Sequence, residues 1–244
     1  MFNYLQGLDA ELKISFEDEG LTLDQITTIS SLAHKNNINV NVKVGGCEAL
    51  TDIRIANYIG STGCVAPMIE SSFALHKFIS TIFKNNFYFD NLFINIESRQ
   101  AYENIESIIH SKDTEHLTGI VLGRSDFVSS YNLIKKDTDS EAIFDKAVTI
   151  FSLAKSKGLK TLMGGNLNTN SLNFIKRLYE SNLLDYVETR NVKVKLSENF
   201  IENYQESLNK MIRFEVEWLK RKSNQNSILL DADTKRISNL ELRR

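Results

Sequence analysis

A short, continuous, β-branched apolar run, then a helical pattern, then another such run recurs along this chain, and few architectures can accommodate that order. The stretch Asn91 to Ser130, NLFINIESRQAYENIESIIHSKDTEHLTGIVLGRSDFVSS, shows it most clearly. Leu92–Ile96 and Gly119–Leu122 read as strands buried on both faces, as in a parallel sheet, and the segment between them reads as a helix. The unit is therefore βαβ. A carboxylate follows each strand, Glu97 after LFINI and Asp126 after GIVLG, and in a parallel barrel the carboxyl ends of the strands share one rim. Paired oxygen donors there suit a hard cation such as Mg2+ or Mn2+. The competing reading makes each carboxylate a helix N-cap.

The same rhythm extends over most of the chain. Leu12–Phe16, Ile38–Val44, Gly63–Ile69, Leu159–Met163 and Leu184–Val187 complete a set of seven expected strands, separated by helical patterns such as Leu21–Asn36 and Glu141–Lys157. An eighth strand would come from Phe2–Leu5, from Val192–Val194 or from the tail. Periodicity leaves a closed α/β barrel and an open doubly wound sheet both open. A long helix is expected over Phe200–Arg221, and the tail Ser227–Arg244 reads as a small hairpin or docking arm. Residues 1–221 are accordingly expected to form one domain and residues 222–244 a C-terminal helical or hairpin extension.

Composition narrows the functional classes. The 29 basic and 31 acidic residues give a net charge of −2, which supplies no global electrostatic case for nucleic acid or an anionic membrane. Two cysteines, Cys47 and Cys64, are too few for a disulfide scaffold and suit a reducing compartment. No apolar run approaches the roughly 20 residues of a membrane span. A cytoplasmic protein without nucleic-acid or membrane partners is expected. Cys47, after Gly45-Gly46, reads as a packing residue at a turn, and Cys64 as core.

The strand ends gather the candidate chemistry: Glu17, Asp18 and Glu19; Lys43; Glu70; Asn95 and Glu97; Arg124 and Asp126; Gly164-Gly165-Asn166; Glu188 and Arg190. Individually these are ordinary loop residues; their accumulation on one rim marks a candidate active site. The segments GCVAPMIESSFAL, INIESRQAYENIESII and GIVLGRSDF resemble the HpcH/HpaI-type metal-dependent oxo-acid aldolases and citrate lyase beta subunits, of the phosphoenolpyruvate/pyruvate barrel superfamily. The resemblance spans about Leu12 to Arg190. It implies a TIM-type (β/α)8 barrel, a homo-oligomer, and Glu97 and Asp126 as ligands of Mg2+ (or Mn2+). It further implies carbon–carbon bond cleavage or formation beside a 2-oxo acid or an acyl-CoA through an enolate, the metal acting as Lewis acid. Backbone N–H groups around Gly123-Arg124-Ser125 would bind the carboxylate, with Asn95 where many members carry glutamine.

Two positions depart from the family pattern. Lys43, in VNVKVGG, stands where the aldolases carry an arginine, keeping the charge and losing the two-pronged geometry. Asp18, in FEDEG, stands where they carry the catalytic histidine. The expected catalytic set is therefore Lys43, Asp18, Glu19 and Arg124, with Lys43, Asn95, Gly123, Arg124 and Ser125 binding substrate. The expected activity is that of a metal-dependent carbon–carbon lyase. A metal-dependent thioester hydrolase, or a non-catalytic barrel serving as a binding module, are the alternatives.

Overall fold

A computed structural model of the protein describes residues 1–17, 19–225 and 231–242. Eight strands close into one barrel in chain order: β1 (Ala10–Ser15), β2 (Val40–Lys43), β3 (Gly63–Ala66), β4 (Asn91–Ile96), β5 (Gly119–Gly123), β6 (Lys160–Gly164), β7 (Tyr186–Glu188) and β8 (Val192–Lys195). The helices are α1 (Leu23–Lys35), α2 (Leu50–Tyr58), α3 (Ser72–Lys84), α4 (Arg99–Glu103), α5 (Ile105–Ile109), α6 (Arg124–Ser130), α7 (Glu141–Ser156), α8 (Leu172–Glu180), α9 (Glu198–Glu202), α10 (Tyr204–Gln225) and α11 (Asp231–Glu241). The closed α/β barrel expected from the sequence is the architecture found.

Local chemistry sets the boundaries. Thr22 and Gln25 form a reciprocal capping box at the start of α1, and the hydroxyls of Ser71 and Ser98 cap α3 and α4. Asparagine ends several helices: Asn37, Asn86, Asn132 and Asn182, just past α1, α3, α6 and α8, all take positive φ of 55–58°. Asparagine tolerates that left-handed position because its short polar side chain can bond locally.

The first seven strands run parallel, and β8 runs antiparallel to both β7 and β1. Chain length dictates this. Only Thr189, Arg190 and Asn191 join β7 to β8, enough for a hairpin and too few for the crossover that a parallel strand needs. Of the three segments offered for the eighth strand, Val192–Val194 supplies it. Phe2–Leu5 instead forms a 3-10 turn docked on α10, with the Phe2 and Phe214 rings edge to face at 5.2 Å. Helix α10 begins at Tyr204 and continues past residue 221 to Gln225. Within the tail, residues 231–241 are helical rather than a hairpin, and Ile228-Leu229-Leu230 lie outside the described residues.

The main core lies between barrel and helices. Inside the barrel a separate small cluster of Val65, Phe93, Val121 and Leu162 fills the middle, with Tyr186 packed against it. Polar side chains occupy the interior on either side. On the amino-terminal side Lys193 Nζ lies 3.0 Å from Glu11 Oε2 and over the Phe93 ring, while Asn41 donates to the same oxygen at 2.6 Å. On the carboxyl-terminal side lie Lys13, Lys43, Asn95 and Glu188. The apolar layer thus separates two charged layers. Phe93→Ala is expected to lower stability by roughly 3–5 kcal/mol in urea unfolding, because it removes the one aromatic ring of the four-residue plug and leaves a cavity.

Candidate active site

The carboxyl-terminal mouth of the barrel holds a cavity of about 390 Å3. Glu97 is its most constrained group. It is buried, and its Oε1 accepts the Met68 N–H at 3.1 Å and lies 3.7 Å from Lys43 Nζ; its Oε2 accepts from Asn95 Nδ2 at 2.9 Å. Met68 adopts φ +49°, costly for a residue other than glycine, and that strained turn is what aims its N–H at the carboxylate. Room for the carboxylate comes from the facing strand, since a Cβ on Gly123 would sit 2.6 Å from Glu97 Oε2. Burial pushes the Glu97 pKa up; the Lys43 charge and the Asn95 hydrogen bond oppose this, and the nearby Asp126 charge adds to it.

Asp126 lines the same cavity from the first turn of α6. Neither carboxylate is a helix cap: Ser98 caps α4, and the residue at the cap position of α6 is Gly123. Asn95 Oδ1 is buried and has no hydrogen-bond partner among the described residues. Two carboxylates and an amide oxygen on adjacent strand ends are hard donors of the type that suits Mg2+ or Mn2+, so the residues present fit such an ion. Among the described residues no cluster of three or more His, Cys, Asp or Glu side chains could hold a metal. Mg2+ is commonly held by one or two protein carboxylates, the rest of its shell being water and substrate.

A second ion pair, between Lys13 on β1 and Glu188 on β7, faces the cavity beside the first. Gly164 makes space for Glu188, its would-be Cβ lying 2.9 Å from Glu188 Cγ. Sequence analysis placed Glu188 on the rim and passed over Lys13. The signal was present in AELKIS, where Glu11, Lys13 and Ser15 alternate with Leu12 and Ile14 and so share the inward face.

Gly123 and Ser125 also line the cavity. Arg124 does not. Its guanidinium is fully buried, paired with Asp139, stacked on Phe174, and donating to the carbonyls of Gly164 and Gly165 at 3.2 and 2.9 Å. Burial pulls its pKa down and the Asp139 carboxylate opposes that. The arginine expected at the substrate therefore ties the β5 and β6 loops together instead. That tie holds Gly165, at φ +84°, so close to Ser125 that a Cβ would lie 2.4 Å from the Ser125 nitrogen.

Glu19 likewise lies outside the lining. It is buried against α10, accepting from Asn191 Nδ2 at 2.7 Å, with Trp218 Nε1 3.5 Å away, while its backbone carbonyl accepts from Lys222 at 2.7 Å. Burial raises its pKa. Asp18 falls outside the described residues.

Helix α11 lies across the mouth, contributing Lys235, Arg236, Asn239 and Leu240 to the cavity wall. A buried carboxylate, Glu215 on α10, anchors it. Glu215 Oε2 lies 3.2 Å from Arg236 and Oε1 accepts the Asn191 N–H at 2.7 Å, joining α11 to the β7–β8 turn. Burial, the largest influence, pushes the Glu215 pKa up, but Arg236 together with hydrogen bonds from Thr189 and Asn191 brings it below the ordinary value. Lys222 and Asp233, 3.1 Å apart, form a second tie.

Neither a protein-family model nor the sequence of a curated protein matches this chain. Solved structures do. An HpcH/HpaI aldolase from Desulfitobacterium hafniense DCB-2 superposes with a TM-score of 0.62 at 14% identity, covering 77% of this chain and 79% of that one. An HpcH/HpaI aldolase/citrate lyase family protein from Burkholderia cenocepacia J2315 matches at TM-score 0.62 and 12% identity, covering 77% and 80%. The citrate synthase SbnG matches at TM-score 0.62 and 13% identity, over 91% of this chain and 87% of that one. At such identities the similarity establishes a shared barrel fold.

Glu215→Gln is expected to destabilise the protein by roughly 3 kcal/mol near neutral pH, since Arg236 then loses its buried partner. A lowered carboxylate pKa contributes stability that is complete above the ordinary value near 4.5 and lost as pH falls through the lowered value. The gap between wild type and variant in urea melts should therefore narrow progressively below pH 4.5.

Proposed function

We propose that the protein is a divalent-metal-dependent carbon–carbon lyase acting on a 2-oxo acid or related carboxylate. One observation carries this reading: Glu97 and Asp126, at the ends of adjacent strands, face a single cavity in which Lys43 Nζ lies 3.7 Å from Glu97. The names of the structural neighbours, aldolases and citrate-forming or citrate-cleaving enzymes, support the same reaction class. Glu97 and Asp126 would hold Mg2+ or Mn2+, with Asn95 Oδ1 as a further oxygen donor. When bound, the cation supplies Lewis-acid polarisation of the oxo acid's carbonyl and carboxylate oxygens.

This chain's own groups do the rest. Lys43 anchors the substrate carboxylate as a point charge. Gly123 and Ser125 form the wall against which that carboxylate packs, and Arg124 holds the wall in place without touching substrate. In cleavage Glu188, a buried carboxylate whose charge is balanced by Lys13, takes the proton from the hydroxyl on the carbon that becomes the carbonyl of the released fragment, and in condensation it returns that proton to the new hydroxyl. Within the extension read over residues 222–244, helix α11 covers the mouth of the barrel.

Calorimetric titration with Mg2+ and oxalate, a mimic of the planar enolate, tests the assignment. Wild type is expected to bind oxalate only with metal present, and Glu97→Ala or Asp126→Ala to abolish that binding. Unchanged metal-dependent binding in both variants contradicts the reading. Glu188→Gln should lower kcat by about 100-fold or more, the usual size of a lost acid–base group, while leaving metal and oxalate binding intact.

A further inference from the structure

The mouth of the barrel carries two charged clusters on opposite sides. Glu97 and Asp126 follow β4 and β5, whereas Lys13 and Glu188 belong to β1 and β7, the strands that flank β8. In a closed ring of eight strands β4 is the one farthest from β8, so the Lys13–Glu188 pair faces the other carboxylates across the cavity. The backbone of Lys13 is clamped there. Its N–H donates to the Asn191 carbonyl at 2.8 Å, and its carbonyl accepts from Asn191 Nδ2 at 3.3 Å. Asn191 is itself buried, held by Glu215 at its N–H and by Glu19 at Nδ2, each at 2.7 Å. Glu19 and Glu215, two buried carboxylates with no part in the proposed chemistry, thus set Asn191 and through it Lys13. The Lys13 side chain is only 13% exposed and lines the cavity. An ammonium has three N–H donors, and among the described residues that of Lys13 has one partner, Glu188 Oε1. A mostly buried cation with donors left over at a cavity wall calls for an oxygen ligand.

We infer that Lys13 is a catalytic residue: its ammonium holds the substrate oxygen whose proton Glu188 carries. This deepens the lyase reading and rests on it. In cleavage the O–H proton goes to Glu188, and the electron pair of the O–H bond becomes the second bond of the new carbonyl. The electron pair of the carbon–carbon bond leaves with the oxo acid as its enolate. Negative charge grows on the oxygen as the proton departs, and Lys13 donates a hydrogen bond to it throughout while keeping its own proton. Condensation reverses each transfer. Because the enolate carbon is the one next to the oxo carbon, the hydroxyl concerned stands on the carbon beyond it.

The test uses twins that differ in that hydroxyl alone, 4-hydroxy-2-oxobutanoate and 2-oxobutanoate. Both are titrated with Mg2+ into Glu188→Gln, which slows turnover, and into Lys13→Met/Glu188→Gln, which leaves no unpaired carboxylate behind. The hydroxylated acid is expected to bind Glu188→Gln about tenfold more tightly than its twin, the worth of a charge-assisted hydrogen bond, and the double variant to lose that margin. A margin absent from the first variant, or kept in full by the second, overturns the assignment. Mg2+–oxalate titration separates this inference from the reading beneath it. Oxalate bound by both variants without any margin removes the role of Lys13 alone; no oxalate binding even by wild type removes the lyase reading and that role with it. If the double variant loses oxalate binding, crystals of Glu188→Gln soaked with Mg2+ and 4-hydroxy-2-oxobutanoate decide, since they leave Lys13 unaltered. The hydroxyl is expected within about 2.7–3.2 Å of Lys13 Nζ, and a hydroxyl ordered elsewhere overturns the proposal.

Discussion

A carboxylate taken out of water costs several kcal/mol unless a partner charge and hydrogen bonds replace its hydration, and the interior of this barrel is arranged around that constraint. Glu97 is kept by Lys43, Asn95 and the Met68 N–H; Glu188 is kept by Lys13; Glu11 is kept by Lys193 and Asn41. Each cation comes from a different strand than its carboxylate, so every pair also fastens two strands to each other. The apolar plug of Val65, Phe93, Val121 and Leu162 lies between the lower pair and the two upper ones. The two ends of the barrel differ accordingly: the lower charges are packed against aromatic rings, and the upper ones face the cavity proposed as the active site.

The C-terminal segment completes the site rather than merely covering it. Because β8 returns antiparallel after a three-residue turn, the chain leaves the barrel at the amino-terminal end; by Tyr204, whose hydroxyl donates to the Asn168 carbonyl beyond β6, it has come back, and α10 then sets Glu215 against the β7–β8 turn. Helix α11 then reaches the mouth. Glu215 sits where that path meets the β7–β8 turn, and its buried carboxylate fixes hairpin and lid to each other. Lys235 and Arg236 reach the cavity wall because this route carries α11 to the mouth.

Much of the fold was legible because strand and helix periodicities are local properties. Glu97 and Asp126 stood out as polar residues following buried apolar runs, and the cavity brings them together. Arg124 was misplaced for a geometric reason: consecutive residues at the start of a helix diverge by about 100°, so Asp126 facing the cavity says nothing about a guanidinium two positions earlier. The direction of β8 was encoded in the loop length and went unread, as was the inward alternation of Glu11, Lys13 and Ser15. The seating of Glu19 against Trp218 and Lys222 depends on contacts about 200 residues apart in sequence, which no local pattern carries. Likewise the need for glycine at 123 and 164 becomes visible only once the facing carboxylates are in place.

The central claim is that Glu97 and Asp126 act together on one cation beside the substrate carboxylate. A crystal structure of the protein soaked with Mn2+ and oxalate, with data collected at the manganese absorption edge, tests it most directly. The account expects an anomalous peak within coordination distance of both carboxylates, about 2.1–2.2 Å from oxygen, with oxalate on its open side and Lys43 turned toward the oxalate. A peak elsewhere on the chain, or ordered oxalate bound without manganese between Glu97 and Asp126, would contradict it.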